Sequence, residues 1–160
     1  MRGKSVQPVL VIHVGYACPR LGLPAPSSFR RWTAAALAVA GRATPAELSI
    51  RLVDAAEGRA LNRRYRGIDH ATNVLSFPVE MAPGPVTPLL GDLVLCVPVL
   101  ARESRQQGKT LHQHAAHLTI HGVLHLLGYD HQRPRAAATM EQLEIDALAG
   151  LALPNPYETC

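Results

Sequence analysis

Residues 121–131 read HGVLHLLGYDH, and the way this stretch folds dictates what the rest of the chain must arrange around it. His121 and His125 stand four apart in an apolar run, and His131 follows just beyond Gly128. On an α-helix a step of four rotates a side chain by about 40° and lifts it by about 6 Å, so two imidazoles so spaced can meet one ion. A third ligand has to arrive from another direction. Glycine adopts the left-handed backbone that ends a helix, so Gly128 predicts a reversal that brings His131 back to the His121/His125 face. Neutral imidazole binds zinc, and three protein ligands with one position left to solvent is the pattern of catalytic zinc. The competing reading is a half-buried helix whose histidines are ordinary hydrogen-bonding groups. His117 lies on the same stripe, four before His121, with His112 and His114 nearby. The spacing therefore allows 117/121 as well as 121/125. The second pair is favoured because only His125 is near enough to the turn for His131 to join it; His117 is then a supporting or a core residue.

Position 122 bears on the chemistry. In the HExxH helix of metallopeptidases, the residue after the first histidine is the glutamate that serves as general base. Here it is Gly122. The chain thus has a peptidase-like metal scaffold without the peptidase base. Asp130 is the nearest acidic candidate, and a turn-capping role is its alternative.

Outward from this helix, the pattern predicts an α+β chain. PVLVIHVGYA reads as a strand over roughly 8–16, and AELSIRLVD as a half-buried strand. Ser27 or Ser28 can cap the helix FRRWTAAALAVAG, and Asp54 the helix AAEGRALNRRYRG. NVLSFPV and DLVLCV read as strands flanking the loop EMAPGPVTPLLG. Pro98 opens a helix running towards Gly108, Thr110 caps the helix 111–127, and AAATMEQLEIDALAGL forms a last amphipathic helix after the QRPR loop. The expectation is a single domain over 1–160, with a small mixed sheet of about four strands covered by about five helices.

Composition narrows the setting. The 48% hydrophobic content is ordinary for a soluble domain, and no apolar run reaches the ~18 residues a membrane span needs. The basic, apolar N-terminus resembles a signal peptide, but Pro8 and His13 break the run and Tyr16 spoils the cleavage pattern. Cys18, Cys96 and Cys160 suggest no disulfide framework, which fits a reducing cytoplasm. Residues 1–80 hold eleven Lys+Arg against five Asp+Glu, and residues 81–160 five against seven. Arg59, Arg63, Arg64 and Arg66 crowd one segment. Such an excess suggests a polyanionic partner, a solvated helix face being the alternative.

HGVLHLLGYDH resembles the HGxLHLxGYDH signature of the YbeY endoribonucleases. LNRRYRGIDHATNVLSFP (61–78) resembles that family's LNxxYRxKDxPTxVLSFP block, and LGDLVLC (90–96) its GDIxIC strand. AHLTIHG, MEQLE and NPY also match, so the similarity spans roughly residues 45–160. The resemblance implies a zincin-like α+β fold with His121, His125 and His131 holding one Zn²⁺, and Arg66 important for catalysis. It further implies single-strand-specific cleavage of RNA, in small-subunit ribosomal RNA maturation and ribosome quality control. The implied partners are single-stranded RNA, ribosomal RNA and the small subunit, with no membrane. Ile68 stands where the family usually has Lys, and Ala71 where it usually has Pro. The first change removes a cation beside Arg66, and the second a restraint on the loop before Thr72 and Asn73. The chemistry agrees: a metal acts as Lewis acid and activates water, and a guanidinium clamps a phosphate and stabilises developing charge. Thr72, Asn73 and Ser76 can line the groove or serve as ordinary hydrogen-bonding positions. The same residues leave two other functions open. One is a metallohydrolase of a peptide or amide. The other is a ribosome-associated RNA-binding factor with a structural metal, closed by a fourth ligand such as His117.

Overall fold

The structure, a computed structural model, describes residues 9–79 and 88–158. The expected strand start at Pro8, most of the loop 80–91 and Cys160 lie outside the described residues. Among the described residues nine elements follow in the order β1 (Leu10–Ala17), α1 (Pro26–Val39), β2 (Ala46–Val53), α2 (Ala55–Arg66), β3 (Val74–Pro78), β4 (Leu89–Cys96), α3 (Val97–Gln106), α4 (Leu111–Leu126) and α5 (Pro134–Gly150). The strands form one mixed sheet in the order β1-β2-β4-β3. β1, β2 and β4 are mutually parallel, and β3 runs antiparallel to β4 at the edge. The expected α+β class with four strands and five helices is the one observed.

Local chemistry sets most boundaries. Asp54 accepts the Glu57 backbone N–H at 2.9 Å and starts α2. Thr110 and Gln113 form a reciprocal capping box, both bonds at 3.0 Å, that starts α4. Two starts differ from expectation. Neither Ser27 nor Ser28 caps α1, which opens earlier, at Pro26 after Ala25, and carries Ser28 as a buried helical residue. α5 likewise opens at Pro134, two residues before the expected run. In both cases proline, with φ already helical and no N–H to satisfy, takes the first turn.

β2 shows how one strand divides the molecule. Ala46, Leu48, Ile50 and Leu52 are buried on one face with Leu93 and Leu95 of β4. That face packs against Phe29, Trp32 and Ala36 of α1, Ile120, Val123 and Leu124 of α4, and Met140 and Leu148 of α5. A smaller apolar cluster of Val53, Leu75, Val94, Cys96 and Val99 lies on the other face, with Leu61 of α2 and Phe77 against it. The core thereby holds α4 against the sheet and α1, with His117, His121 and His125 on a stripe that is only partly buried.

Candidate metal centre

Gly128 ends α4 as its position predicts. Its φ is 99°, and the Tyr129 N–H returns to the Leu124 carbonyl at 3.1 Å. A residue with a side chain would be strained there. The reversal brings Nδ1 of His131 to 3.0 Å from Nε2 of His125, which lies 3.0 Å from Nε2 of His121. One nitrogen from each ring falls within 4.8 Å of the other two, and no other group of metal-binding side chains meets that condition among the described residues.

The opposite ring nitrogens explain the orientation. His125 Nδ1–H donates to the Tyr129 carbonyl at 3.0 Å, and His121 Nδ1–H to Glu144 Oε1 at 2.9 Å. With both Nδ1 atoms protonated, both Nε2 lone pairs point into the same space. Zn–N bonds of 2.0–2.1 Å at tetrahedral angles set nitrogens about 3.3 Å apart, close to the observed 3.0 Å. Two facing lone pairs at that distance repel unless a cation lies between them, so these residues fit a metal ion. Burial, followed by the nearby His121, pushes the His125 pKa down and favours the neutral ring that binds metal.

Glu144 of α5 was not among the residues singled out from sequence. Its side chain is 1% exposed and accepts from His121 Nδ1 and His117 Nε2, both at 2.9 Å, and from the Tyr157 hydroxyl at 2.9 Å. Burial works against its ionisation. The bonds from the two imidazoles outweigh that and hold the carboxyl at about 2. A sequence signal existed: the buried stripe of α5 is Met140, Glu144, Ala147 and Leu148, so a carboxylate sits on an apolar face. His117 is thereby assigned. Its Nε2 faces Glu144 and its Nδ1 is buried without a partner among the described residues, so it meets the carboxylate and lies outside the group of three converging nitrogens.

Other candidates divide. Gly122 faces the sheet: a Cβ there would lie 2.8 Å from Leu93 Cδ2 and 3.4 Å from Ser76 Oγ. The position of the peptidase glutamate is therefore filled by core packing. Asp130 accepts the Gln132 N–H at 2.8 Å, the turn role. Asn73 is engaged by Glu103 and by the Val74 N–H, and Ser76 Oγ donates to the Gly122 carbonyl at 3.4 Å. Arg66 ends α2 with Nη2 donating to the Ser76 carbonyl at 2.9 Å. Arg66 thus reaches across to β3, and Ser76 in turn touches the helix turn that carries His121. Ile68 is exposed, whereas Ala71 packs on the smaller apolar cluster. The loop between them is held by the two-pronged Arg59–Asp69 pair at 2.8 and 3.0 Å and by Asn62 Nδ2 donating to the His70 carbonyl.

The family model described as Endoribonuclease YbeY matches residues 25–152. The chain belongs to the YbeY endoribonuclease family. Among its relatives, an Endoribonuclease YbeY of Stenotrophomonas maltophilia is 59% identical over 92% of this chain and 93% of its own length. One from Xanthomonas campestris pv. campestris is 56% identical over the same shares. The solution structure of TM1509 from Thermotoga maritima shares the fold, with a TM-score of 0.57 at 19% identity over 89% of this chain and 92% of that one. The match to the YbeY family model begins at residue 25, so it takes in α1 as well as the region where the motifs lie.

Proposed function

We propose that this chain, residues 1–160 acting as one domain, is a single-strand-specific, metal-dependent endoribonuclease of small-subunit ribosomal RNA maturation and ribosome quality control, working in the cytoplasm. Its ion is Zn²⁺, held by His121, His125 and His131, and its partners are ribosomal RNA and the small subunit. The observation that carries the reading is the convergence of three imidazole nitrogens, two of them with the opposite nitrogen committed to a carboxylate or a carbonyl. When bound, the ion supplies Lewis acidity for activating water and a phosphoryl oxygen.

The protein's own groups do the rest. Glu144 and the Tyr129 carbonyl hold the rings, and the half-buried setting of His125 lowers its pKa and so favours the neutral ring. Arg66 engages the scissile phosphate. Its bond to Ser76 uses one of five N–H groups, leaving a planar fork for two phosphate oxygens and for charge that develops during displacement.

Metal-loaded protein should cut single-stranded RNA and spare duplex RNA. Arg66→Ala should lower the rate by about 10²–10³ with metal content unchanged. His125→Ala should lose metal and cleavage together. Full activity of either variant would remove that residue from the site, and equal cutting of duplex would refute the strand preference.

A further inference from the structure

The proposed chemistry uses the buried carboxylate on α5 but leaves out two of its neighbours, the histidine at 117 and the NPY segment near the C-terminus. They meet at one point. Asn155 Oδ1 accepts the Tyr157 N–H at 2.8 Å, forming a tight turn that aims the tyrosine ring inward. Lys109, in the loop before α4, donates to the Pro156 carbonyl at 3.3 Å and ties the same turn to the helix. The Tyr157 ring meets His117 edge-on, with centroids 5.6 Å apart at 85°, and its hydroxyl donates to Glu144 Oε2 at 2.9 Å. The ring is partly exposed while its hydroxyl reaches a side chain that is 1% exposed.

We propose that this C-terminal segment is a working part of the metal centre: Tyr157, acting through Glu144, is a positioning residue that sets the orientation of His121 and hence the affinity for the ion. The proposal rests on the metal-site reading above. A carboxylate has two oxygens and can swing about its last bond. Oε1 is shared by His121 and His117, and Tyr157 donates to Oε2. With both ends held, the carboxylate fixes the His121 ring with its proton on Nδ1 and its lone pair on Nε2. Without the hydroxyl, Oε2 is left in a dry site short of a donor, and the carboxylate is free to rotate away from the ring. His117 takes the role of a clamp, since its Nε2 bonds the same Oε1 as His121 from one turn earlier on the helix.

The test is metal affinity, measured by Zn²⁺ titration against a chelator and by the visible spectrum of the Co²⁺-loaded protein. Tyr157→Phe keeps the ring and removes only the hydroxyl. It should weaken binding about tenfold and shift the Co²⁺ spectrum, and Glu144→Gln should weaken it about 10- to 100-fold. The double variant should bind no more weakly than Glu144→Gln alone, because the tyrosine acts only through the carboxylate. A purely structural tail would lower the melting temperature of the metal-free protein and leave affinity and spectrum alone, and that outcome overturns the proposal. So does a double variant in which the two losses add in full. If Glu144→Gln does not fold, Tyr157→Phe decides by itself, unchanged affinity being the refuting result. Failure of the unaltered protein to bind either ion would instead sink the metal-site reading.

Discussion

Gly122 shows why a motif has to be judged by where its side chain points. The residue lies beside a candidate ligand in sequence, yet its Cα faces Leu93, which is fully buried and has no room to swing. Gly122→Ala should gain up to about 1 kcal/mol of helix propensity and lose about 1–3 kcal/mol to overpacking, a net destabilisation of about 1 kcal/mol. Gly122→Glu should cost more than about 3 kcal/mol, because it also buries a carboxylate. Urea unfolding of the metal-free protein reads both. A stable Gly122→Glu protein with peptidase activity would overturn this placement. The convergence of the three imidazoles was legible because its geometry is local: a step of four on one helix, and a glycine where the chain must reverse. Glu144 was not assigned, since its partners are 23 residues before it and 13 after it, and no periodicity links those positions.

At the scale of elements, caps and breakers were readable and their competition was not. Asp54, Thr110 and Gly128 each act through bonds within five residues, so the ends of α2 and α4 follow from sequence. Pro26 and Pro134 start α1 and α5 because a ring that presets φ takes the first turn, at α1 ahead of the serines that follow it. Helix α4 also carries a buried histidine outside the group of three converging imidazoles. His114 Nε2–H donates to Glu103 of α3 at 3.0 Å, and its Nδ1 is buried without a partner. Burial pushes its pKa down, more than the opposing Glu103 raises it, and His117 and Lys109 add to the lowering. The sign follows. Below about 6.5 the unfolded chain binds a proton at this position before the folded chain does, so stability is present above that value and is lost as the pH falls towards the lower, folded pKa. In metal-free protein, His114→Gln should flatten the fall in stability as the pH drops below about 6.5. An unchanged slope in chemical unfolding at several pH values would assign that fall to other groups.

Across the whole molecule, strand order could not be read, because nothing in β4 announces that it inserts between β2 and β3. That insertion puts the antiparallel β3 at the sheet edge beside α4, and so links Arg66, through Ser76, to the turn that carries His121. The basic cluster read from sequence is divided by the same arrangement. Arg59 is paired with Asp69 and braces the loop that leads into β3. Arg64 lies over the exposed ring of Tyr65, 5.2 Å from its centre, beside Arg63 and Arg66 at the end of α2. A guanidinium over an aromatic face is held ready for phosphate while the ring remains available to a base. For single-stranded RNA, each phosphate contact adds about 0.7 to the slope of log affinity against log salt. Arg63→Ala and Arg64→Ala should each lower the slope by about that amount. Arg59→Ala, whose charge is already matched by Asp69, should leave the slope near its original value and loosen the 67–73 loop instead. Filter binding of an unstructured RNA over a range of salt concentrations separates the cases. Equal slopes for all three variants would mean that the polyanion follows another path across the protein.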